Sequence, residues 1–222
     1  MIPLRDVIPS RTVPVVTVAL IALNVLGFLY QMALPADQLN QLVVRRGVVP
    51  VAFAWNDVLT SMFLHGGVMH LTFNMLSLWI FGDNVEDRLG HGRYLAFYLF
   101  AGALAALAHV AVDPLSPVPT IGASGAIAGV MGGYFVLYPR SRIITWLPPL
   151  LLLEVPAVVF LGMWFFLQLA SGIGNQLAAA PGEMAGGVAF WAHIGGFAVG
   201  ALVVKLVARP ERARVEWYDP RS

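Results

Sequence analysis

Six apolar runs, at about 13–32, 66–81, 94–112, 121–137, 150–170 and 185–207, dominate the chain. Polar or Pro- and Gly-rich breaks separate them: D-N-V-E-D-R-L-G-H-G-R at 83–93, D-P-L-S-P-V-P at 113–119 and Y-P-R-S-R at 138–142, with small residues concentrated at 171–184. Runs of this size approach the ~20 residues that carry a helix across a bilayer core. The pattern predicts six transmembrane helices forming one all-α membrane domain over 1–222. No internal repeat is visible. The first run is too long for a secretory apolar region and lacks a small-x-small cleavage site, so it is expected to be a retained span.

An even number of spans places both termini on one side, and the basic residues then say which. That side holds Arg5, Arg11, Arg88, Arg93, Arg140, Arg142, Lys205, Arg209, Arg212, Arg214 and Arg221, while the other holds only Arg45 and Arg46. The positive-inside rule therefore puts both termini in the cytoplasm. The second, fourth and sixth spans enter from the outer face. The first outer loop carries apolar residues at 48–54 between Arg45, Arg46, Asn56 and Asp57 and is expected to lie in the interface.

Composition narrows the class. Hydrophobic residues make up 59% and charged residues 11%, against about 25% charged in soluble domains. An ordinary soluble or disordered chain is excluded. The net charge of +1 offers no basic tract for nucleic acid, and the absence of cysteine removes disulfides and thiolate chemistry.

Ionisable and amide side chains are costly within a bilayer and mark candidate sites. The second span carries His65, His70 and Asn74, and the last two, four apart, share a helix face. Ser124 is expected about one turn inside the outer end of the fourth span. His193 sits about eight residues into the sixth, roughly 12 Å deep at 1.5 Å per residue. His70, Asn74, Ser124 and His193 thus share a similar depth. Gly125, Gly129 and Gly133 recur every four residues along the fourth span, and Gly196 and Gly200 do so beyond His193. Such stripes let helix backbones approach closely, which would bring His193 towards Ser124; they also occur where packing is their whole purpose. Glu154, between Pro149 and Pro156, reads as a snorkelling side chain. His91 and His109 receive no role.

A serine hydroxyl needs a base before it attacks, and histidine is the natural one near neutral pH. Ser124 and His193 can form such a dyad. No carboxylate is placed to complete a triad, so packing or another hydrogen bond must orient the ring. Asn74, His70 and the unpaired N–H groups at a helix N-terminus can stabilise an oxyanion. Rival chemistries lack their residues: there is no H-E-x-x-H, no second intramembrane aspartate to face Asp83, and no repeat of the kind transporters use.

Four motifs, H-x-x-x-x-H-x-x-x-N at 65–74, E-D-R-L-G at 86–90, G-A-S-G at 122–125 and A-H-x-x-G at 192–196, resemble the rhomboid intramembrane serine proteases in order and placement. The resemblance extends from the first span to the sixth and implies a six-helix rhomboid-like bundle. It implies Ser124 as nucleophile, His193 as base, and His70 and Asn74 as oxyanion donors with the Ser124 N–H. Gly122 and Gly125 would keep the nucleophile turn uncluttered, Gly196 and Gly200 would hold the sixth helix on the fourth, and His65 and Glu86 would be structural. It implies transmembrane protein substrates cut near the extracytoplasmic face, with no metal or cofactor. The short extramembrane parts suit a bacterial inner membrane. Two positions depart from the pattern. Asn56 follows Trp55 where the family often has Arg. Ala128 stands where an aromatic often packs on the imidazole, and Trp191 is a candidate replacement. The alternatives are a non-catalytic rhomboid-like protein that binds membrane clients, and a lipid hydrolase using the same dyad.

Overall fold

The computed structural model describes residues 1–149, 151–178 and 189–209. A short strand β1 (Ile2–Asp6) precedes α1 (Val15–Met32), and the loop after it folds as α2 (Ala36–Arg46), a 3-10 turn (Pro50–Ala52) and α3 (Trp55–Ser61). Then come α4 (Val68–Leu89), α5 (His91–Val112) and α6 (Ser124–Leu137). The hairpin β2 (Arg142–Leu147) and β3 (Leu151–Pro156) leads into α7 (Ala157–Ala178), and α8 (Phe190–Val207) closes the described fold. Among the described residues α1, α5, α7 and α8 are long and apolar enough to cross a membrane. The protein is a multi-pass membrane protein of mainly helical build.

α6 lies at the centre, packed against α4, α5 and α8. Its wall of small residues lets these neighbours close in. The core comprises Leu78, Phe81 and Val85 of α4, Tyr94 and Tyr98 of α5, Ile127, Val130 and Tyr134 of α6, and Phe197 and Val204 of α8. Large apolar side chains that face outward, such as Leu23 and Leu26 of α1 and Phe166 and Leu167 of α7, form the lipid-facing surface.

The all-α expectation needs correction. β1, β2 and β3 form an antiparallel sheet in that order, and residues 151–156, expected to begin the fifth span, pair with β2 from Arg142↔Pro156 to Leu147↔Leu151. Ile143, Ile144 and Thr145 favour a strand, and Pro156 disfavours helix at Val155 before it. Glu154 is tied across the hairpin to Arg142 at 3.0 Å. The fifth helix instead begins at Ala157 and continues past Ala170 to Ala178, because no proline interrupts it.

The second span is also longer than expected. The polar stretch 83–89 stays helical, and one residue, Gly90 with φ 79°, makes the turn into α5. Two of its carboxylates, Glu86 and Asp87, are satisfied from other elements. Fully buried Glu86 accepts the backbone N–H groups of Val16 (2.9 Å) and Thr17 (2.8 Å) and the Thr17 hydroxyl (2.7 Å). It caps the N-terminus of α1 from across the bundle. His91 meets the same carboxylate at 2.5 Å. Asp87 accepts from the backbones of Arg11 and Thr12. The expected positions 150, 185–188, Arg212, Arg214 and Arg221 lie outside the described residues.

Candidate active site

Ser124 is the first residue of α6, not one turn inside it. Its approach is a tight turn: Gly122 has φ 127°, a conformation that favours glycine, and its N–H donates to the Ser61 carbonyl at 2.9 Å. A Cβ at Gly122 would lie 2.8 Å from the His70 ring. The missing side chain is therefore what lets His70 lie over the turn. At a helix N-terminus the first backbone N–H groups have no intrahelical acceptor.

α8 brings His193 to Ser124 by backbone contact. A side chain at Gly196 would overlap the Gly125 carbonyl, and one at Gly200 would overlap the Gly129 carbonyl. The third contact of this crossing differs from the expected stripe. Gly132, not Gly133, meets the α8 backbone at Phe197, while Gly133 faces Phe97 and Val204. The result is a Ser124 Oγ to His193 Nε2 distance of 2.8 Å.

On the opposite wall, α4 supplies His70 and, one turn later, Asn74. The Gly66 N–H donates to His70 Nδ1 at 3.3 Å. That leaves the ring proton on Nε2, the nitrogen beside Gly122. The buried Asn74 Nδ2 has no hydrogen-bond acceptor among the described residues. The loop before α4 is fixed from α1. Buried Gln31 accepts the His65 N–H at 2.8 Å and donates to its carbonyl at 3.0 Å. The His65 ring packs edge-on against His70.

All four predicted polar residues line one cavity of about 560 Å³. Phe73, Ile127, Met131 and Trp164 form part of its apolar wall. His109 reaches the same cavity and bonds Thr120 Oγ1 at 2.9 Å. The arrangement joins a hydroxyl, an imidazole positioned to take its proton, and unspent N–H donors around a space that a peptide can occupy. These are the parts acyl transfer requires.

Two residues were missed from the sequence. Gln168 of α7 places Oε1 2.8 Å from His193 Nδ1, and Trp164 of α7 lies against the same ring with centroids 5.9 Å apart. The aromatic beside the imidazole is thus Trp164 and not Trp191, which packs near Gly172. Gln168 was visible as a lone amide in the run F-F-L-Q-L, the same signal that marked Asn74. Among the described residues Asn56 shows no side-chain link to the site. In its loop the Thr60 hydroxyl ties to the Arg46 carbonyl at 2.8 Å.

Comparison with known proteins gives a consistent picture. The Rhomboid domain matches residues 52–210. The chain is 42% identical to the Rhomboid protease GluP of Bacillus subtilis over 88 residues, which is 40% of this chain and 17% of that protein. It is 32% identical to Rhomboid protein 1, mitochondrial, of Saccharomyces cerevisiae over 168 residues, 72% of this chain and 45% of the relative. The human Presenilin-associated rhomboid-like protein, mitochondrial, is 30% identical over 183 residues, 75% of this chain and 43% of that one. The chain therefore spans less than half the length of each of these relatives. They come from a bacterium and from mitochondria, so the expected bacterial inner membrane is not supported.

Proposed function

Since the chain belongs to the rhomboid family, we propose that it is a serine-type intramembrane endopeptidase acting on transmembrane segments of other proteins. The observation that carries this reading is the 2.8 Å contact between Ser124 Oγ and His193 Nε2 inside a cavity of a lipid-facing bundle. Ser124 is the nucleophile and His193 the general base. α1, α4, α5, α6, α7 and α8 are the six spans of one domain, with both termini cytoplasmic and the site towards the outer face.

Catalysis runs in two halves. His193 Nε2 takes the hydroxyl proton as Ser124 Oγ attacks the scissile carbonyl carbon. The oxyanion is received by the Ser124 N–H, the Asn74 amide and His70 Nε2–H. The imidazolium then gives its proton to the leaving amine, and the C–N bond breaks. Water, deprotonated by the same base, attacks the acyl-enzyme and frees Ser124. Gly122, Gly125, Gly196 and Gly200 keep nucleophile and base in contact. A substrate helix must unwind locally before its peptide bond can be reached, so small or helix-weakening residues favour cleavage.

The test is fluorophosphonate labelling of the purified protein, followed by cleavage of a spanning substrate in detergent. Labelling at Ser124 that disappears in Ser124→Ala and His193→Ala, with cleavage lost in parallel, is expected. A folded wild type that does not label would favour a non-catalytic, client-binding role. Labelling with lipid turnover but no proteolysis would favour a lipid hydrolase.

A further inference from the structure

A serine–histidine pair works only if the imidazole presents an unprotonated Nε2 to the hydroxyl. In a neutral ring that requires the proton to sit on Nδ1, so something must accept it there. Among the described residues no carboxylate does so. The acceptor is an amide: Gln168 Oε1 lies 2.8 Å from His193 Nδ1. A carbonyl oxygen can only accept, so it selects the Nδ1–H form and leaves Nε2 free at 2.8 Å from Ser124 Oγ. The three groups form a continuous chain from Gln168 through His193 to Ser124.

The ring also needs a wall. An aromatic at position 128 is absent, and Ala128 is fully buried in the core. Trp164 takes that task from another direction. Its ring lies 5.9 Å from His193 and 6.0 Å from Phe197, tilted by 36° to each. Trp164 and Gln168 are four apart and share one face of α7. The same face carries Phe165 and Gly172 towards α8: Phe165 stacks on Phe197 at 4.8 Å, and Gly172 lies against Phe190 and Trp191. Both constraints on the base therefore come from one helix, and that helix contributes neither the nucleophile nor an oxyanion donor.

Resting on the protease reading above, we infer that Gln168 is a positioning residue that fixes the tautomer and ring plane of His193, with Trp164 as its support.

The test uses the full chain in detergent micelles. It measures the rate of fluorophosphonate labelling at Ser124 and the kcat and KM of cleavage of a spanning substrate, each across pH. Gln168→Leu should lower kcat and the labelling rate by about 10- to 100-fold, as for one hydrogen bond to a group that becomes charged during reaction, with KM within about two-fold. Gln168→Glu supplies an acceptor of similar reach with a full charge. It should retain activity and move the acid limb of the profile to higher pH by about one unit or more. The other titratable groups around the cavity, His70 of α4, His109 of α5 and Asp113 after it, are unchanged in these variants. A residue that merely packs would leave the acid limb where it is. If Gln168→Leu does not fold, Gln168→Glu decides by itself: an unmoved acid limb overturns the inference. So does a folded Gln168→Leu with wild-type kcat. A wild type that does not label at Ser124 instead brings down the protease reading, and the inference with it.

Discussion

α6 and α7 both reach the Ser124–His193 pair, but they are held in different ways. α6 has 14 residues, of which ten are buried; α7 has 22, of which four are. α6 meets α8 backbone to backbone through Gly125, Gly129 and Gly132, so its position is set by hard atomic contact. α7 meets α8 through aromatic faces and one amide, and elsewhere presents Val158, Val159, Met163, Phe166 and Leu167 to lipid. Ser124 thus stands on a helix buried along most of its length, whereas Gln168 and Trp164, which contact His193, stand on one that is mostly exposed.

Substitutions can break or sharpen this contrast. The largest effect is expected from Gly200→Val, whose side chain would overlap the Gly129 carbonyl. It should separate α6 from α8 and abolish Ser124 labelling, with a loss of stability above about 4 kcal/mol. Thermal unfolding in detergent and labelling in parallel would check this. Ile127→Ala, inside α6, should cost about 1–3 kcal/mol, the packing part of a core truncation, since lipid is no less apolar than the core. Ala128→Phe should also cost about 1–3 kcal/mol by overpacking, with no gain in activity, because Trp164 already backs the imidazole.

The far end of α6 gives a pH-dependent version of the same comparison. Its Tyr134 hydroxyl donates to Asp6 Oδ2 at 2.6 Å, and Asn84 of α4 donates to the same oxygen at 2.9 Å. Burial nonetheless pushes the Asp6 carboxyl up from 3.8 to about 6, the Tyr134 hydrogen bond opposing this in part. The native state then holds this proton more tightly than the unfolded chain does. Stability from this group is full below 3.8 and is lost as pH rises through about 6. With solvent screening the loss should be about 1 kcal/mol, and Asp6→Asn should remove it from the unfolding profile. The smallest effect belongs to α7's outer face. Leu167→Ala should change stability by no more than about 0.5 kcal/mol, where Ile127→Ala changes it several-fold more.

The features legible in the sequence were those that obey a local rule. Polar side chains in apolar runs announced His70, Asn74, Ser124 and His193, and four-residue glycine spacing announced the α6–α8 crossing. What escaped depends on partners far along the chain. Residues 151–156 are as apolar as a span, and only pairing with Ile143–Thr145 makes them a strand. Residues 83–89 look like a loop until Glu86 finds the first N–H groups of α1, and Asp87 those of Arg11 and Thr12 just before it, as their donors. Gln168 carries the same signal as Asn74 but no motif around it. Trp164 and Trp191 are equivalent on the page, and only the rotation of α7 against α8 separates them.

The shortness of α6 has a consequence for the surrounding lipid. Fourteen residues span about 21 Å, some 9 Å less than a typical hydrocarbon core of about 30 Å. If α6 is a span with its Leu137 end level with one headgroup layer, Ser124 at its other end lies below the opposite layer unless the bilayer narrows around it. Mismatch of this kind costs a fraction of a kcal/mol per ångström and is shared between protein and lipid. Thin acyl chains would bring bulk water closer to the hydroxyl, and long ones would bury it further. Bilayer thickness thereby becomes a variable of the chemistry, and turnover in vesicles of graded chain length should fall as the chains lengthen.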